Sequence, residues 1–172
     1  MRKTLYLMCG PAGSGKSTYV SKRIINDNVR CCHHSSRDLI RFGLVKETEE
    51  YFSKEDEVFE LFCKDIDETL HSDIYDCVYA DATHLTAKAR AKTLDKINLK
   101  NVDIIPIFLD TSHKETLRRN AERTGRRFVP ETVVSKMHQS ARIPTFGENK
   151  YDYKEIIVVT EYGETILKKE EA

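Results

Sequence analysis

The residues with the clearest chemistry form one continuous stretch near the start of the chain, Gly10-Pro11-Ala12-Gly13-Ser14-Gly15-Lys16-Ser17-Thr18. The stretch matches the pattern Gly-x-x-x-x-Gly-Lys-Ser/Thr and lies between an apolar run and a helix-period segment, the context that a phosphate-binding loop requires. Glycines let such a loop point consecutive backbone N–H groups inward at a phosphate, and the following helix adds partial positive charge. We therefore predict a nucleoside triphosphate site, with Lys16 on the β- and γ-phosphates and the Ser17 hydroxyl on Mg²⁺. The predicted phosphate-binding residues are Gly10, Ala12, Gly13, Ser14, Gly15, Lys16, Ser17 and Thr18.

A carboxylate and a guanidinium follow the second apolar run, at Asp38 and Arg41. In an open α/β sheet the carboxyl ends of the strands share one crevice, so this segment should face the phosphate loop. On a short helix the two residues would share a face, because they are three positions apart. The pair suits phosphoryl transfer to a phosphate-bearing alcohol: the carboxylate accepts the hydroxyl proton and the cation holds the neighbouring phosphate. An N-capping aspartate with a surface arginine is the alternative interpretation.

Another carboxylate, Asp81, ends the third apolar run and precedes Ala82-Thr83-His84. We predict that Asp81 either holds a magnesium-bound water or orients the acceptor pocket, and capping of the next turn is the alternative. The sequence assigns no role to His84.

Five arginines occur within the ten residues from Arg118 to Arg127. Arg119 and Arg123 are four positions apart, which on a helix would place them on one face. The helix should break at Thr124-Gly125, and Pro130 suits the first turn of another helix. We predict a lid over about residues 113–142 whose Arg119 and Arg123 offset charge on the transferring phosphoryl group. A solvated basic helix is the alternative.

The elements that must position these residues alternate between short apolar runs and amphipathic segments, which predicts a doubly wound α/β fold with a parallel sheet. Helices are predicted at Ser17–Ile25, along Val58–Leu70 with Ser53 as a near capping residue, at Thr86–Ile97, after the capping box at Ser112, and after Pro130. The predicted strands are Thr4–Cys9, Val29–His33, Cys77–Ala80, Val102–Leu109 and Ile156–Thr160, with a possible short strand at Thr165–Leu167. We expect one domain over residues 1–172.

Composition excludes several classes of protein. The 172 residues include 28 Lys and Arg and 28 Asp and Glu, and this formal net charge of zero disfavours a protein that coats nucleic acid non-specifically. No apolar run approaches the roughly 20 residues that cross a bilayer, so no membrane partner is expected. Five cysteines without a Cys-x-x-Cys pair predict reduced thiols and a cytoplasmic location. Cys31-Cys32-His33-His34 is interpreted as a buried strand rather than a metal cluster, because adjacent strand residues face opposite sides. The acidic segment 45–76 is interpreted as a solvated helix face.

These segments together resemble the 5′-hydroxyl polynucleotide kinase family, the P-loop kinase domain of phage and bacterial RNA-repair enzymes. Ser36-Arg37-Asp38-x-x-Arg41 is similar to the acceptor motif of that family, and Arg119-Asn120-x-x-Arg123 is similar to its lid. The resemblance implies that Asp38 is the general base, that Arg41 binds the phosphate 3′ to the reacting sugar, and that Arg119 and Arg123 contact the ATP phosphates. Asp81-Ala82-Thr83-His84 resembles a further family segment in which His84 is a departure from the usual asparagine.

The resemblance, which extends from about Leu5 to Ile143, implies an ATP- and Mg²⁺-dependent kinase acting on the 5′-hydroxyl end of RNA or DNA. A kinase for a small-molecule alcohol or a nucleoside is the alternative, because it would share the same ATP half. A non-catalytic ATP-binding regulator is a third possibility. A GTPase is disfavoured, since the chain lacks an Asn-Lys-x-Asp guanine selector. The sequence leaves RNA or DNA preference and oligomeric state open.

Overall fold

A computed structural model describes residues 2–169 and contains a six-stranded sheet. The strands are β1 (Lys3–Cys9), β2 (Cys32–Ser36), β3 (Cys77–Asp81), β4 (Val102–Leu109), β5 (Glu155–Thr160) and β6 (Gly163–Lys168). Their order is β2-β3-β1-β4-β5-β6; the first five are parallel, and β6 is antiparallel to β5. The predicted doubly wound α/β fold is therefore confirmed, and the short strand predicted at Thr165–Leu167 is part of β6.

Within residues 2–169, six helices connect and cover the strands. They are α1 (Lys16–Asn26), α2 (Arg37–Leu44), α3 (Glu55–Leu70), α4 (Ala87–Leu94), α5 (His113–Ala121) and α6 (Glu131–Ser140), with a 3₁₀ turn at Gly125–Arg127. In the sheet, β2 and β3 lie on one side of β1, and β4 and β5 lie on the other side. A crevice therefore forms at the carboxyl end of β1, as it does at the switch point of other doubly wound sheets.

Both faces of the central strands are buried, which explains why they appear as continuous apolar runs. The side chains of α3 and α4, including Phe62, Ile66 and Leu94, cover one face. Val20 of α1 packs against the other face. The sheet is thus a rigid platform whose carboxyl edge holds the loops that carry polar residues.

Strand β2 lies at the edge of the sheet and differs from its prediction. The apolar run Val29–His33 suggested the strand, but the pairing begins at Cys32, and Val29 is 90% exposed. An edge strand has one neighbour and needs less apolar surface, so its sequence signal is weak. His33 and His34 are accordingly half-buried, whereas Ser35 and Ser36 at the carboxyl end are buried.

Cys32 and Cys77 form a disulfide between neighbouring strands β2 and β3, which corrects the expectation that all five cysteines are reduced. The two residues are register partners with Cα atoms 4.7 Å apart, within the range that a disulfide spans. They are 45 positions apart in the chain, so spacing alone did not reveal the pair. Cys9, Cys31 and Cys63 are free thiols.

The predicted N-cap at Ser112 is confirmed, and Ser36 and Thr86 are further N-caps that were not predicted. The hydroxyls of Ser36, Thr86 and Ser112 accept hydrogen bonds from backbone N–H groups in the first turns of α2, α4 and α5. The prediction for Ser53 was wrong, because α3 begins two residues later, with Lys54 as its N-cap and no capping side chain. Within residues 2–169, none of the helices combines the length and apolarity needed to cross a membrane.

The residue whose role the sequence left open, His84, is a buried structural group. One ring nitrogen lies 2.8 Å from the Met8 carbonyl oxygen and the other 3.1 Å from Thr93 Oγ1, so the imidazole joins β1 to α4. Burial lowers the pKa of His84 to about 4, only partly opposed by the hydrogen bond to Met8. The folded protein therefore favours the neutral ring.

We expect this histidine to make stability depend on pH. The pKa of His84 is about 4 in the folded protein and roughly 6.5 in the unfolded chain. The neutral ring therefore adds its full share to the free energy of unfolding above pH 6.5, and this share is lost on acidification. The loss amounts to about 2 kcal/mol at pH 5. Urea unfolding at pH 7.5 and 5.0 should show a smaller pH dependence for His84→Asn, whose side chain tolerates the local φ of 40°. His71→Asn, at an exposed position, should behave like the unmodified protein, and an unchanged pH dependence in His84→Asn would contradict the assignment.

Candidate active site

The carboxyl ends of β1, β2 and β3 meet in one cleft of about 420 Å³. Its walls come from the phosphate loop, from α2, from the start of α3 and from the segment between α5 and α6. The predicted site residues that line it are Ala12, Gly15, Lys16, Ser17, Thr18, Asp38, Arg41, Asp81 and Arg123. The fold thus brings together phosphate-loop, acceptor and lid residues that are more than 100 positions apart.

The phosphate loop has the backbone that its motif predicts. Gly13 and Gly15 have φ angles of 86° and 99°, which residues with a Cβ rarely adopt. A Cβ on Gly13 would also lie 2.8 Å from the Thr116 carbonyl oxygen, so α5 packs directly against the loop. Two backbone hydrogen bonds complete the turn. The Ser14 N–H donates to the Pro11 carbonyl oxygen, and the Gly10 N–H donates to the Thr83 carbonyl oxygen.

The Lys16 side chain is folded back over this loop. Its Nζ donates to the carbonyl oxygens of Gly10 at 2.9 Å and Pro11 at 2.8 Å. Burial lowers the pKa of Lys16, although the carboxylates of Asp81 and Asp38 oppose that shift. The ammonium group therefore spans the concave side of the loop, where a bound phosphate would meet it.

Asp81 lies beside the loop hydroxyl. Ser17 Oγ donates to Asp81 Oδ2 at 2.6 Å, and His34 Nε2 lies 3.0 Å from the same oxygen. Although burial acts in the opposite direction, hydrogen bonds from His34 and Ser17 and the charge of Lys16 hold the pKa of Asp81 below its usual range. A hydroxyl and an ionised carboxylate are hard oxygen donors of the kind that Mg²⁺ prefers, so the residues present fit a magnesium ion.

Asp38 and Arg41 are joined on the first turns of α2, as their spacing predicts, and the guanidinium of Arg41 contacts Asp38 Oδ1. A further partner was not predicted. Glu55, the first residue of α3, accepts from Arg41 Nε at 3.0 Å and from Arg41 Nη2 at 2.9 Å. Glu55 also pairs with Arg37. We call Arg37, Asp38, Arg41 and Glu55 the acceptor cluster.

The segment predicted as a lid consists of α5, the 3₁₀ turn and α6, but its arginines do not share a helix face. Helix α5 ends at Ala121, so Arg123 lies beyond it. The buried Asn120 side chain donates from Nδ2 to the Val129 carbonyl at 2.6 Å, and its Oδ1 accepts from the Val129 N–H at 3.2 Å. This clip turns the chain back after α5 and thereby directs Arg123 into the cleft.

Arg119 and Arg123 consequently have different surroundings. Arg119 bonds Glu115 and donates to the Ser14 carbonyl at 3.2 Å, so it supports the phosphate loop from outside the cleft. Arg123 lines the cleft, and its charge is among those that lower the pKa of Lys16. The predicted equivalence of the two arginines is therefore wrong in geometry, because an early helix end separates them.

Several residues in or beside the cleft were not predicted from the sequence. Tyr51 and Phe52 form an aromatic wall, and Arg126 and Arg127 add positive charge from the 3₁₀ turn. His34 was interpreted only as part of a strand, and Glu55 was assigned to a solvated acidic face. No local sequence pattern predicts a role for Glu55, because its partners Arg41 and Arg37 are 14 and 18 positions away. For Arg126, the arginine-rich segment itself could have indicated a place in the site.

The architecture is shared with solved kinase structures. A sugar kinase from Janibacter sp. HTCC2649 is 14% identical, with a TM-score of 0.61 over 93% of this chain and 86% of that chain. A fungal RNA kinase is 16% identical with a TM-score of 0.57 over 99% of this chain and 40% of that one. The Mycobacterium tuberculosis APS kinase CysC, solved with AMPPNP and APS, is 21% identical with a TM-score of 0.51 over 70% of both chains. At these identities the likeness shows the P-loop kinase fold.

Among curated proteins, none matches this chain at a significant level. A family model described as an AAA domain, in contrast, matches residues 5–144, which include the phosphate loop, the acceptor cluster and the lid. This match spans most of the chain and the whole of the cleft described above. The chain therefore belongs to this AAA domain family of P-loop proteins, and its fold is that of the P-loop kinases.

Proposed function

We propose that the protein is a kinase that transfers the γ-phosphoryl group of ATP to the 5′-hydroxyl end of RNA or DNA. One observation carries the proposal. The cleft joins a phosphate loop to a carboxylate, Asp38, and its other walls include the aromatic side chains of Tyr51 and Phe52 and the cationic side chains of Arg126 and Arg127. Aromatic faces and guanidinium groups are what a nucleotide, with its base and phosphate, requires of a binding site. The fungal RNA kinase with the same fold is consistent with this choice.

In the ATP half of the proposed site, the Lys16 ammonium and backbone N–H groups of the phosphate loop bind the phosphates, apart from the N–H groups of Gly10 and Ser14, which donate to protein carbonyls. Ser17 and Asp81 would hold Mg²⁺, which would supply positive charge to the phosphates of bound ATP. The APS kinase was solved with the ATP analogue AMPPNP, which supports ATP as the donor here.

In the acceptor half, Asp38 accepts the proton of the attacking hydroxyl. Its side chain is 66% exposed at the cleft, so an acceptor can reach it, while Arg41 fixes its orientation. Proton transfer to a positioned carboxylate makes the hydroxyl oxygen a better nucleophile as the bond to phosphorus forms.

A kinase for a small-molecule alcohol or a nucleoside is the second candidate. The observation that favours it is the internal neutralisation of the acceptor cluster, where Glu55 and Asp38 balance Arg37 and Arg41. A non-catalytic ATP-binding regulator remains the third hypothesis, and any measured turnover would remove it.

Transfer from labelled ATP to three acceptors separates these functions: a 5′-hydroxyl oligonucleotide, a nucleoside 3′-monophosphate and the nucleoside. We expect efficient labelling of the first two and poor labelling of the nucleoside. Equal labelling of nucleoside and 3′-monophosphate would favour the small-molecule kinase. Labelling of a sugar but of none of the three acceptors would reject the proposal.

Arg123→Ala is expected to lower kcat by roughly 10²- to 10³-fold, because its guanidinium faces the cleft and would stabilise charge that develops on the transferring group. Its effect on KM for the acceptor should be small. Arg118→Ala, an exposed arginine paired with Glu115 and Glu122 on the outer side of α5, serves as the matched control. If Arg123→Ala instead weakened only oligonucleotide binding and its salt dependence, the segment would be a nucleic-acid groove rather than a lid.

A further inference from the structure

The guanidinium of Arg41 is almost fully engaged by the protein itself. Its Nε and Nη2 bond Glu55, and its Nη1 bonds Asp38 and lies 3.3 Å from the Tyr51 hydroxyl. The rings of Tyr51 and Phe52 lie 5.0 and 5.3 Å from its central carbon. The Arg41 side chain is only 7% exposed. A guanidinium has five N–H groups, so little donor capacity remains for a substrate phosphate.

The charge of the acceptor cluster is also balanced. Glu55 accepts from both Arg37 and Arg41, and Asp38 accepts from Arg41, which leaves two cations against two carboxylates. A phosphate that approached Arg41 would have to displace Glu55 from a two-point ion pair. The Arg41–Glu55 geometry is that of a guanidinium–carboxylate fork, which is itself a strong hydrogen-bonded arrangement.

Arg126 is different. Within residues 2–169 it has no carboxylate partner, and the one hydrogen bond of its side chain is donated by Nη2 to the Val45 carbonyl at 2.8 Å. Its central carbon lies 5.4 Å from the centre of the Tyr51 ring, the same ring that contacts Arg41, and 5.5 Å from that of Phe42. Arg126 is thus an uncompensated cation, oriented by aromatic rings, in the cleft that contains Asp38.

We propose that Arg126 binds the phosphate next to the reacting hydroxyl of the acceptor, and that Arg41 is a positioning residue for Asp38. The proposal rests on the proposed function, because it assumes a nucleotide acceptor. It assigns acceptor specificity to the 3₁₀ turn of the lid, which Arg126 holds against the end of α2 through the Val45 carbonyl and the Phe42 ring.

The test compares a nucleoside with its 3′-monophosphate in Arg126→Ala, Arg126→Gln and Arg41→Ala proteins. We expect the unmodified protein to prefer the phosphorylated acceptor by about ten- to a hundred-fold in kcat/KM. Arg126→Ala and Arg126→Gln should both reduce that preference to about threefold or less. The glutamine lacks the positive charge but keeps an N–H donor for the Val45 carbonyl. Comparison of the two variants therefore distinguishes loss of the charge from loss of the contact between the lid and Val45.

Arg41→Ala should lower kcat on both acceptors by the same factor and leave the preference intact, as expected for a residue that acts through Asp38. Arg41→Lys should restore part of kcat, a rescue that general loss of structure would not produce. Lys114→Ala, an exposed lid cation outside the cleft, should match the unmodified protein. Loss of the preference in Arg41→Ala with retention in Arg126→Ala would overturn the inference.

Calorimetric titration of nucleoside 3′-monophosphate, with AMPPNP present, gives a readout that is independent of turnover. Arg126→Gln should weaken this binding by about tenfold, and Arg41→Lys should change it less than threefold. If the unmodified protein labels and binds neither acceptor, the proposed function fails and the inference fails with it. If it labels both acceptors with a preference that Arg126 variants leave unchanged, only the inference fails.

Discussion

Replacement of Lys16 by alanine is expected to lower phosphoryl transfer by roughly 10³-fold or more, because it removes the point charge on the β- and γ-phosphates. Lys16 also contributes to the structure of the loop, because its Nζ donates to the carbonyls of Gly10 and Pro11. Loss of these bonds should cost about 1–2 kcal/mol of folding stability. Turnover with labelled ATP and thermal unfolding, measured on the same preparation, separate the two effects.

The control for this experiment is Lys22→Ala, an exposed lysine on the same helix. It should leave both turnover and unfolding temperature unchanged. Turnover at the unmodified level in a folded Lys16→Ala protein would reject the kinase assignment altogether, because that assignment places the Lys16 charge on the transferring phosphates.

Asp38→Asn is expected to lower kcat by about 10²- to 10⁴-fold, the usual range for a positioned general base, while ATP binding is retained. The asparagine keeps an oxygen that can accept from Arg41, so the acceptor cluster should stay assembled. Because Asp38 is 66% exposed, its replacement should leave the free energy of unfolding nearly unchanged. Single-turnover kinetics at saturating ATP measure the effect on chemistry.

Asp56→Asn is the matched control, since Asp56 is an exposed acid in the first turn of α3 and lies outside the cleft. It should have unmodified kcat. A collapse of nucleotide affinity in Asp38→Asn, with kcat preserved at saturating ATP, would mean that Asp38 serves the ATP half of the site.

The phosphate loop and the α/β fold could be predicted because their signals are local. The loop needs glycines, a lysine and a hydroxyl at fixed spacing, and residues 10–18 contain all of them in one run. Buried parallel strands need continuous apolar runs, and β1, β3, β4 and β5 have them. Edge strand β2 was displaced from its prediction because one exposed side relaxes that requirement.

The tertiary structure alone decided how the acceptor side is arranged. The pairing of Arg41 with Glu55 depends on the packing of α2 against α3, and the contact between His34 and Asp81 depends on the register of β2 and β3. The Cys32–Cys77 disulfide depends on the same register. The end of α5 at Ala121, which separates Arg119 from Arg123, is imposed by the Asn120–Val129 clip. Sequence periodicity describes one element at a time, whereas these contacts join elements whose relative positions are set by the whole core.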